Sequence, residues 1–232
     1  MTIINDKYQI ISKIGRGGFG TVYKGVIIDT DQRIAIKKEK KKKYNRKEFI
    51  IYKLIQDKDY TANVIDYIEK EKKSYLILPL YGNNCIKILK KYKDSFNLKD
   101  VCMLAIQIVK QLKIVHSIDV IHRDIKPDNF VYDYKTNKFK LIDFGLAKPF
   151  KLNDEHIKFK KSSSRAGTLR YMSINCHNKY ALSRRDDLIS LGYSMIFLYK
   201  KNLPWRGIKN KKKAYNLILD LKKDYNEKIN NI

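Results

Sequence analysis

The segment that decides the interpretation of this chain is His122-Arg123-Asp124-Ile125-Lys126-Pro127-Asp128-Asn129. It follows the short apolar run Val120–Ile121, so a buried element leads directly into a polar loop. The segment fits the pattern H-R-D-x-x-x-x-N, in which the aspartate accepts the proton of an attacking hydroxyl and the asparagine binds magnesium. An accidental match is the alternative, and four fixed residues arise by chance in roughly one chain of this length per thousand.

A second short motif follows the next apolar run. Asp143-Phe144-Gly145 comes directly after Leu141–Ile142. The aspartate of this motif holds magnesium in sites that transfer phosphoryl groups. Alone, this tripeptide is weak evidence for a phosphoryl-transfer site, because it arises by chance in roughly a few per cent of chains.

The glycine-rich stretch Gly15-Arg16-Gly17-Gly18-Phe19-Gly20 fits the spacing GxGxxG. This motif alone is compatible with a dinucleotide loop, a hairpin that covers phosphates, or a plain turn. A dinucleotide loop needs a helix directly afterwards, whereas Thr21 to Ile28 has the pattern of a strand. In a glycine hairpin the backbone N–H groups can approach phosphates closely, because no Cβ atom stands in the way.

Ile34-Ala35-Ile36-Lys37 alternates apolar residues and ends in a lysine. It matches the V-A-I-K motif, whose lysine holds nucleotide phosphates and is positioned by a glutamate on the next helix. Glu48 is the only acidic residue between Lys40 and Gln56, so it is the candidate partner. In so lysine-rich a chain, the alternative is a surface lysine that closes a strand.

Strand patterns dominate the first third of the chain, and helical patterns dominate the remainder, which favours an α+β fold in two lobes, 1–81 and 82–232. The predicted strands are Ile10–Ile14, Val22–Ile28, Arg33–Lys37, Val64–Glu69 and Ser74–Leu80, and two short apolar runs, Val120–Ile121 and Phe139–Ile142, each lead straight into charged residues. The predicted helices are Lys47–Ile55, Leu98–Ser117, Asp186–Tyr199 and Lys211–Leu221.

The composition of the chain indicates more about its binding partners than about its fold. The 232 residues are 44% hydrophobic, enough for a core, and carry a net charge of +26. This charge favours acidic partners such as phosphoproteins, nucleic acid or anionic membranes. The longest apolar stretch, Leu188–Tyr199, is too short to span a bilayer. Three scattered cysteines predict a reduced protein of the cytoplasm or nucleus with neither a disulfide framework nor a metal-binding spacing.

Along the chain the four motifs run in the order Gly15–Gly20, Ile34–Lys37, His122–Asn129 and Asp143–Gly145. With all four in this chain order, the chain resembles a eukaryotic protein kinase. Within that group it resembles the casein kinase I family, because this chain has Ser173-Ile174-Asn175 at the place where most kinases carry A-P-E. The segments Ser183–Leu188 and Leu203–Gly207 extend the resemblance. The vaccinia-related kinases share Ser183-Arg184-Arg185 but fit less well at Arg170.

The resemblance implies a bilobal protein-kinase-like fold and a serine/threonine kinase that uses ATP and Mg2+. It implies Asp124 as proton acceptor, Lys126 at the γ-phosphate, and Asp187 as a brace for the loop that carries them. Lys37 and Glu48 complete the implied catalytic set, and Asn129 and Asp143 are the implied metal ligands. The implied ATP-binding residues are Ile14, Gly15, Arg16, Gly17, Gly18, Phe19, Gly20, Thr21, Val22, Ala35, Lys37, Leu78, Pro79, Tyr81 and Val131.

The resemblance also implies protein substrates with acidic or already phosphorylated motifs, with Arg170 and lysines such as Lys209 and Lys213 as anion-binding residues. For the lysine runs, a solvated surface is the alternative, and any nucleic-acid contact through it would be non-specific and salt-sensitive. A monomer is expected.

Members of the resembled family continue beyond the helix predicted at Lys211–Leu221, so the helical lobe is expected to be incomplete. A fragment, a minimal kinase and a lobe completed by a partner all remain open. Apolar surface is then expected on the helix predicted at Asp186–Tyr199. Two functional alternatives also remain: a catalytically impaired binding module of the same fold, and a basic nucleic-acid-binding protein.

Overall fold

A computed structural model describes residues 2–17, 20–39, 42–56, 60–70, 73–92, 96–163, 165–208 and 214–230. The chain divides into two compact units. The first unit comprises residues 1–83 and 131–145, and the second comprises 84–130 and 146–232. The predicted lobe boundary at residues 81 and 82 stays a prediction.

The described residues form both strands and helices, which confirms the α+β class. In chain order the strands are β1 (Thr2–Ile4), β2 (Tyr8–Arg16), β3 (Thr21–Ile27), β4 (Arg33–Glu39), β5 (Asp66–Lys70), β6 (Lys73–Pro79), β7 (Val120–Ile121), β8 (Phe130–Asp133), β9 (Lys138–Leu141), β10 (Lys148–Pro149), β11 (Lys151–Leu152) and β12 (Glu155–His156). The α-helices are α1 (Lys42–Ile55), α2 (Cys85–Lys91), α3 (Leu98–Ser117), α4 (Ile174–His177), α5 (Arg184–Lys200) and α6 (Ala214–Asn230).

The first unit is built on an antiparallel sheet in the order β1-β2-β3-β4-β6-β5. Side chains alternate between its two faces, because successive residues of a strand point in opposite directions. Ile34 and Ile36 on β4 are fully buried in a core that also contains Tyr8 and Ile77. Lys37 therefore lies on the opposite face of the sheet from these isoleucines.

Helix α1 packs on the sheet of the first unit, but the residues that predicted it are not all on its buried face. The prediction placed Phe49, Ile50, Tyr52 and Leu54 near helical spacing, but Ile50 and Leu54 are 50% and 53% exposed. The buried positions are Asn45, Glu48, Ile51, Tyr52 and Ile55, which follow the true spacing of three and four residues. A glutamate thus occupies the buried stripe, which an apolar pattern alone conceals.

In the second unit, α3 has the predicted bounds. Asn97 caps it, with its side chain accepting from the N–H of Asp100 while the Asp100 carboxylate accepts from the N–H of Asn97. Val101, Leu104, Ile108 and Leu112 are buried, whereas Val109, predicted on the same face, is 45% exposed. The capping interaction of Asn97 thus agrees with the predicted start of the helix. The prediction that Val109 belongs to the buried face was wrong.

The other helices of the second unit differ more from prediction. Helix α5 is longer than the predicted Asp186–Tyr199 at both ends, since it begins at Arg184 after the N-cap residue Ser183 and ends at Lys200. Leu188 on this helix is 48% exposed. The prediction at Lys211–Leu221 begins outside the described residues, and α6 continues to Asn230. The short helices α2 and α4 were not predicted. Among the described residues, no helix is long and apolar enough to cross a membrane.

Two glycine substitutions, one in each unit, test the packing inside the units. A Cβ atom at Gly25 on β3 would collide with the carbonyl oxygen of Gln9 and approach Ile36 Cδ1 to 2.7 Å. Gly25→Ala is expected to lower the free energy of unfolding by about 1–3 kcal/mol. Gly192 in α5 has open space around its Cβ position, so Gly192→Ala is expected to raise it by about 0.5–1 kcal/mol. Urea denaturation measures both, and equal effects of the two substitutions would contradict the packing described here.

Candidate functional site

Strands β2 and β3 form a β-hairpin, and the glycine-rich stretch joins them along the chain. Strands β2 and β3 pair antiparallel with Gly15 opposite Val22 and Arg16 opposite Thr21. The N–H of Gly17 donates to the carbonyl of Gly20 at 2.9 Å. A strand and not a helix follows, which excludes the dinucleotide interpretation. Gly18 and Phe19, both predicted to bind ATP, lie outside the described residues.

Gly20 is needed where this hairpin meets β4. A Cβ atom there would collide with the carbonyl oxygen of Lys38 and lie 2.9 Å from Glu39 Cγ. The backbone of the hairpin therefore passes β4 at a distance that only glycine permits.

The face of the sheet that carries Lys37 also carries predicted ATP-binding residues. Directly opposed residues of antiparallel strands point to the same side of a sheet. Val22 is opposite Lys37, and Ala35 is opposite Leu78 on β6. These side chains form one continuous surface of the first unit.

The remaining predicted ATP-binding residues of the described chain also lie in the first unit. Pro79 ends β6 opposite Ile34. The Tyr81 hydroxyl accepts a hydrogen bond from the N–H of Asn63 at 3.0 Å. Ile14 is 44% exposed on β2, and Val131 is 7% exposed on β8.

Lys37 is the centre of an ionic cluster within the first unit. Its ammonium lies 2.6 Å from Oε2 of Glu48 on α1 and 2.8 Å from Oδ1 of Asp143. Lys37 is 8% exposed, and Glu48 is 0% exposed. Burial alone would lower the pKa of Lys37, but the charges of Glu48 and Asp143 outweigh it and raise the pKa above its ordinary value. Lys37 therefore carries a fixed positive charge.

Glu48 also contacts the segment that follows β9. Its Oε1 accepts from the N–H of Phe144 at 3.2 Å, while the N–H of Asp143 donates to the Tyr52 hydroxyl at 3.1 Å. The Tyr52 ring meets the Phe144 ring edge-on, with centroids 5.0 Å apart. Tyr52 was not singled out from the sequence. The signal that would have found it is its position four residues after Glu48, on the same helix face.

Glu39 is a third carboxylate of this cluster. Its Oε1 lies 3.7 Å from the Lys37 ammonium, and its Oε2 accepts from the N–H of Asn45 at 3.1 Å. Burial raises the pKa of Glu39 to about 7, although the charge of Lys37 opposes the rise. Glu39 was also missed in the sequence, where its position two residues after Lys37 on one strand was the available signal.

The second unit holds the other predicted catalytic residues. The Lys126 ammonium lies 2.6 Å from Asp124 Oδ2. The Thr168 hydroxyl donates to Asp124 Oδ1 at 2.8 Å and accepts from Lys126 at 2.9 Å. The Asn129 amide donates to the backbone carbonyl of Asp124 at 2.9 Å. Both carboxylate oxygens of Asp124 are thus oriented, and the role of Thr168 was not predicted.

Asp187 on α5 holds the backbone of this loop. Its carboxylate accepts from the N–H of His122 and from the N–H of Arg123, both at 2.8 Å, and lies 2.9 Å from His116 Nε2. Arg123 has a left-handed φ of +69°, and its Nε donates to the carbonyl of Leu146 at 2.7 Å. A strained loop conformation is therefore held by hydrogen bonds from outside the loop.

The predicted anion-binding residues are only partly described. Arg170 lies in the second unit, with its guanidinium carbon 5.7 Å from the centroid of the Phe197 ring. Lys209 and Lys213 lie outside the described residues.

Comparison with known proteins agrees with this geometry. Residues 8–231 match the protein kinase domain family. A probable casein kinase I homolog from Encephalitozoon cuniculi (strain GB-M1) is 36% identical over 213 residues, which cover 88% of this chain and 70% of that protein. The chain belongs to the protein kinase family and, within it, to the casein kinase I group.

The ionisation of Glu39 has a measurable effect on stability. Because the folded chain holds the Glu39 proton up to a pKa of about 7 and the unfolded chain releases it near 4.5, stability from this group falls as the pH rises between these values. Glu39→Gln removes this loss. Its unfolding free energy relative to the unaltered chain is expected to increase by about 3 kcal/mol from pH 4.5 to pH 7.

Urea denaturation across this pH range measures the difference. Glu227→Gln, on an exposed part of α6, is the matched control and is expected to follow the unaltered chain at every pH. A constant difference between the Glu39→Gln chain and the unaltered chain would show that Glu39 titrates normally.

Proposed function

We propose that this chain is an active serine/threonine kinase that transfers the γ-phosphate of ATP to protein substrates with acidic or already phosphorylated motifs. The observation that carries the proposal is the contact of Lys37 with both Glu48 and Asp143, at 2.6 and 2.8 Å. Protein kinases need this lysine–glutamate pair and the motif aspartate in place together for activity. An impaired relative of the same fold is expected to lack one of them.

The chemistry of phosphoryl transfer suits these residues. The transferred group carries concentrated negative charge, so the site must supply cations and N–H donors in fixed positions. Lys37 supplies a fixed positive charge, and by resemblance the glycine-rich stretch between β2 and β3 supplies backbone N–H groups. Asp124, whose carboxylate is oriented by Lys126 and Thr168, accepts the proton of the attacking hydroxyl. Lys126 then offers its ammonium to the migrating phosphoryl group.

The residues present also fit a magnesium ion. Magnesium prefers hard oxygen ligands and is commonly held by one or two carboxylates together with the phosphates of the nucleotide. Asp143 offers a carboxylate that is 35% exposed. The Asn129 amide nitrogen donates to the Asp124 carbonyl, so its oxygen is the atom left to face a metal. When bound, magnesium would neutralise phosphate charge.

Four features support the choice of substrate. Lys126 lies two residues after Asp124, as in serine/threonine kinases by resemblance, and the relative of 36% identity is named a casein kinase I homolog. The net charge of +26 favours acidic substrates. Arg170 provides a cation two residues after Thr168, which itself contacts Asp124.

Asp124→Asn tests the proton acceptor. Without a carboxylate the attacking hydroxyl keeps its proton, so kcat is expected to fall about 10²–10⁴-fold while the KM for ATP changes little. Magnesium-dependent transfer of labelled phosphate from ATP to casein or an acidic peptide measures this. The control is Lys99→Gln, an exposed position at the start of α3, which is expected to leave kcat unchanged. Nucleotide binding by the unaltered chain without any turnover would instead establish the binding module.

Arg170→Gln tests the preference for anions. Loss of the guanidinium is expected to raise the KM for an acidic or phosphorylated peptide about tenfold, since a charge-assisted hydrogen bond is among the stronger ones. A neutral peptide of the same length, measured with both chains, is the internal control. An equal change in KM for both peptides would remove Arg170 from anion recognition.

A further inference from the structure

A lysine on α6 is completely buried. Lys222 is 0% exposed, and its ammonium donates to the backbone carbonyls of Leu169 at 3.1 Å and Met172 at 2.7 Å. The third neighbour is Nε2 of His177, at 3.1 Å. An ammonium has three N–H donors, so these three acceptors satisfy it completely.

The charge of Lys222 is held without a carboxylate. Among the described residues, the contacts of its ammonium are these three acceptors and the rings of Tyr193 and Trp205, whose centroids lie 5.0 and 5.2 Å away. Burial lowers the pKa of Lys222 to about 7, which reflects the cost of removing its charge from water. Burial also lowers the pKa of His177 to about 3, so its ring is neutral and can accept.

An apolar side chain here would avoid the cost of burying a charge, but it would leave the carbonyls of Leu169 and Met172 without this donor. Both carbonyls belong to one short segment, residues 168–172, so the donors of Lys222 tie α6 to that segment. Trp205 Nε1 donates to the carbonyl of Arg170 in the same segment at 2.8 Å. The N–H groups of Tyr171 and Met172 turn back to the Thr168 carbonyl at 2.9 and 3.0 Å.

This segment begins at the proton acceptor of the proposed reaction. The Thr168 hydroxyl donates to Asp124 and accepts from Lys126. A substrate hydroxyl that approaches Asp124 must bring its flanking peptide residues against the backbone that follows Thr168. The position of that backbone thus affects how well a peptide binds. None of the residues predicted to bind ATP lies within residues 168–172.

We propose that Lys222 is a positioning residue for protein-substrate binding: from the buried side of α6 it fixes residues 168–172 in the place where the peptide around the phosphate acceptor binds. The inference rests on the proposed kinase activity and adds a residue that contacts neither ATP nor the reacting atoms. Its acceptors are the carbonyls of Leu169 and Met172, whereas the Asp124 carboxylate is held by Thr168 and Lys126. The effect therefore falls on peptide affinity and not on the chemical step.

The test compares Lys222→Met with Lys223→Met in the full chain. Lys223 is the exposed neighbour on the same helix, so the pair has the same substitution with and without the buried contacts. For Lys222→Met the KM for an acidic peptide is expected to rise about tenfold, while kcat and the KM for ATP stay within about twofold. Lys223→Met is expected to change none of the three.

Hydrogen exchange followed by mass spectrometry supplies a readout that needs no activity. Amides of Tyr171 and Met172 are expected to exchange faster in Lys222→Met than in Lys223→Met, because the carbonyls that anchor their segment lose their donor. Lys222→Gln, which keeps an N–H donor but no charge, is expected to fall between the two for both exchange and peptide KM.

Three outcomes would overturn the inference. They are an unchanged peptide KM in Lys222→Met, an equal rise in the KM for peptide and for ATP, and failure of both Lys222→Met and Lys222→Gln to fold, which would make Lys222 a stability residue. If the unaltered chain transfers no phosphate, the proposed function fails by itself. Faster exchange in Lys222→Met then supports the anchoring of the segment, and unchanged exchange overturns it.

Discussion

The first unit depends on a positive charge that is almost removed from water. A buried ammonium is tolerated only where opposite charges and hydrogen bonds compensate for the lost hydration. Lys37 has such compensation from Glu48 on α1 and from Asp143 beyond β9. Three segments far apart in sequence must therefore come together for the charge to be stable. The same requirement leaves a rigid cation on the sheet face that carries Val22 and Ala35.

The second unit applies the same principle with a carboxylate. Asp187 is 2% exposed and accepts from two successive backbone N–H groups of the loop that contains Asp124. These bonds hold Arg123 in a left-handed conformation that a free loop would seldom adopt. Beyond the loop, Gly167 has a φ of +95°, and a Cβ atom there would collide with the carbonyl of Arg123. The loop that carries the proton acceptor is thus fixed from helix α5 by Asp187 and from the other direction by Gly167 and Thr168.

Lys222 extends this pattern to α6. It is a buried cation whose acceptors are backbone carbonyls and a neutral histidine, so it holds one chain segment without neutralising a charge. Sequence inspection did not single it out, because one lysine among 50 basic residues has no local signature. Its burial arises from the packing of α6 against residues distant in the chain. Glu39 and Tyr52 do have local signals, namely their spacing from Lys37 and Glu48, but no role in the site was predicted for them. Their roles depend on contacts with Lys37 and Asp143.

Local patterns were sufficient where the interactions are local. The bounds of α3 follow from its capping residues, and the five predicted strands of the first unit end within two residues of the observed ones, because period and capping depend on neighbours in the chain. The apolar spacing indicated helix α1 but not its buried face, because a charged residue, Glu48, lies on that face. An apolar pattern cannot indicate a buried charge whose partners are supplied by other segments.

By itself the sequence determined the fold class, the family and the identity of the residues that carry the proposed chemistry, since these are written in short motifs with fixed spacing. Only the tertiary structure decided which atoms those residues contact: Lys37 with Asp143, Asp124 with Thr168, and Lys222 with the carbonyls of Leu169 and Met172. The reason is that each of these contacts joins residues more than 40 positions apart, and long-range contacts depend on packing of the whole unit.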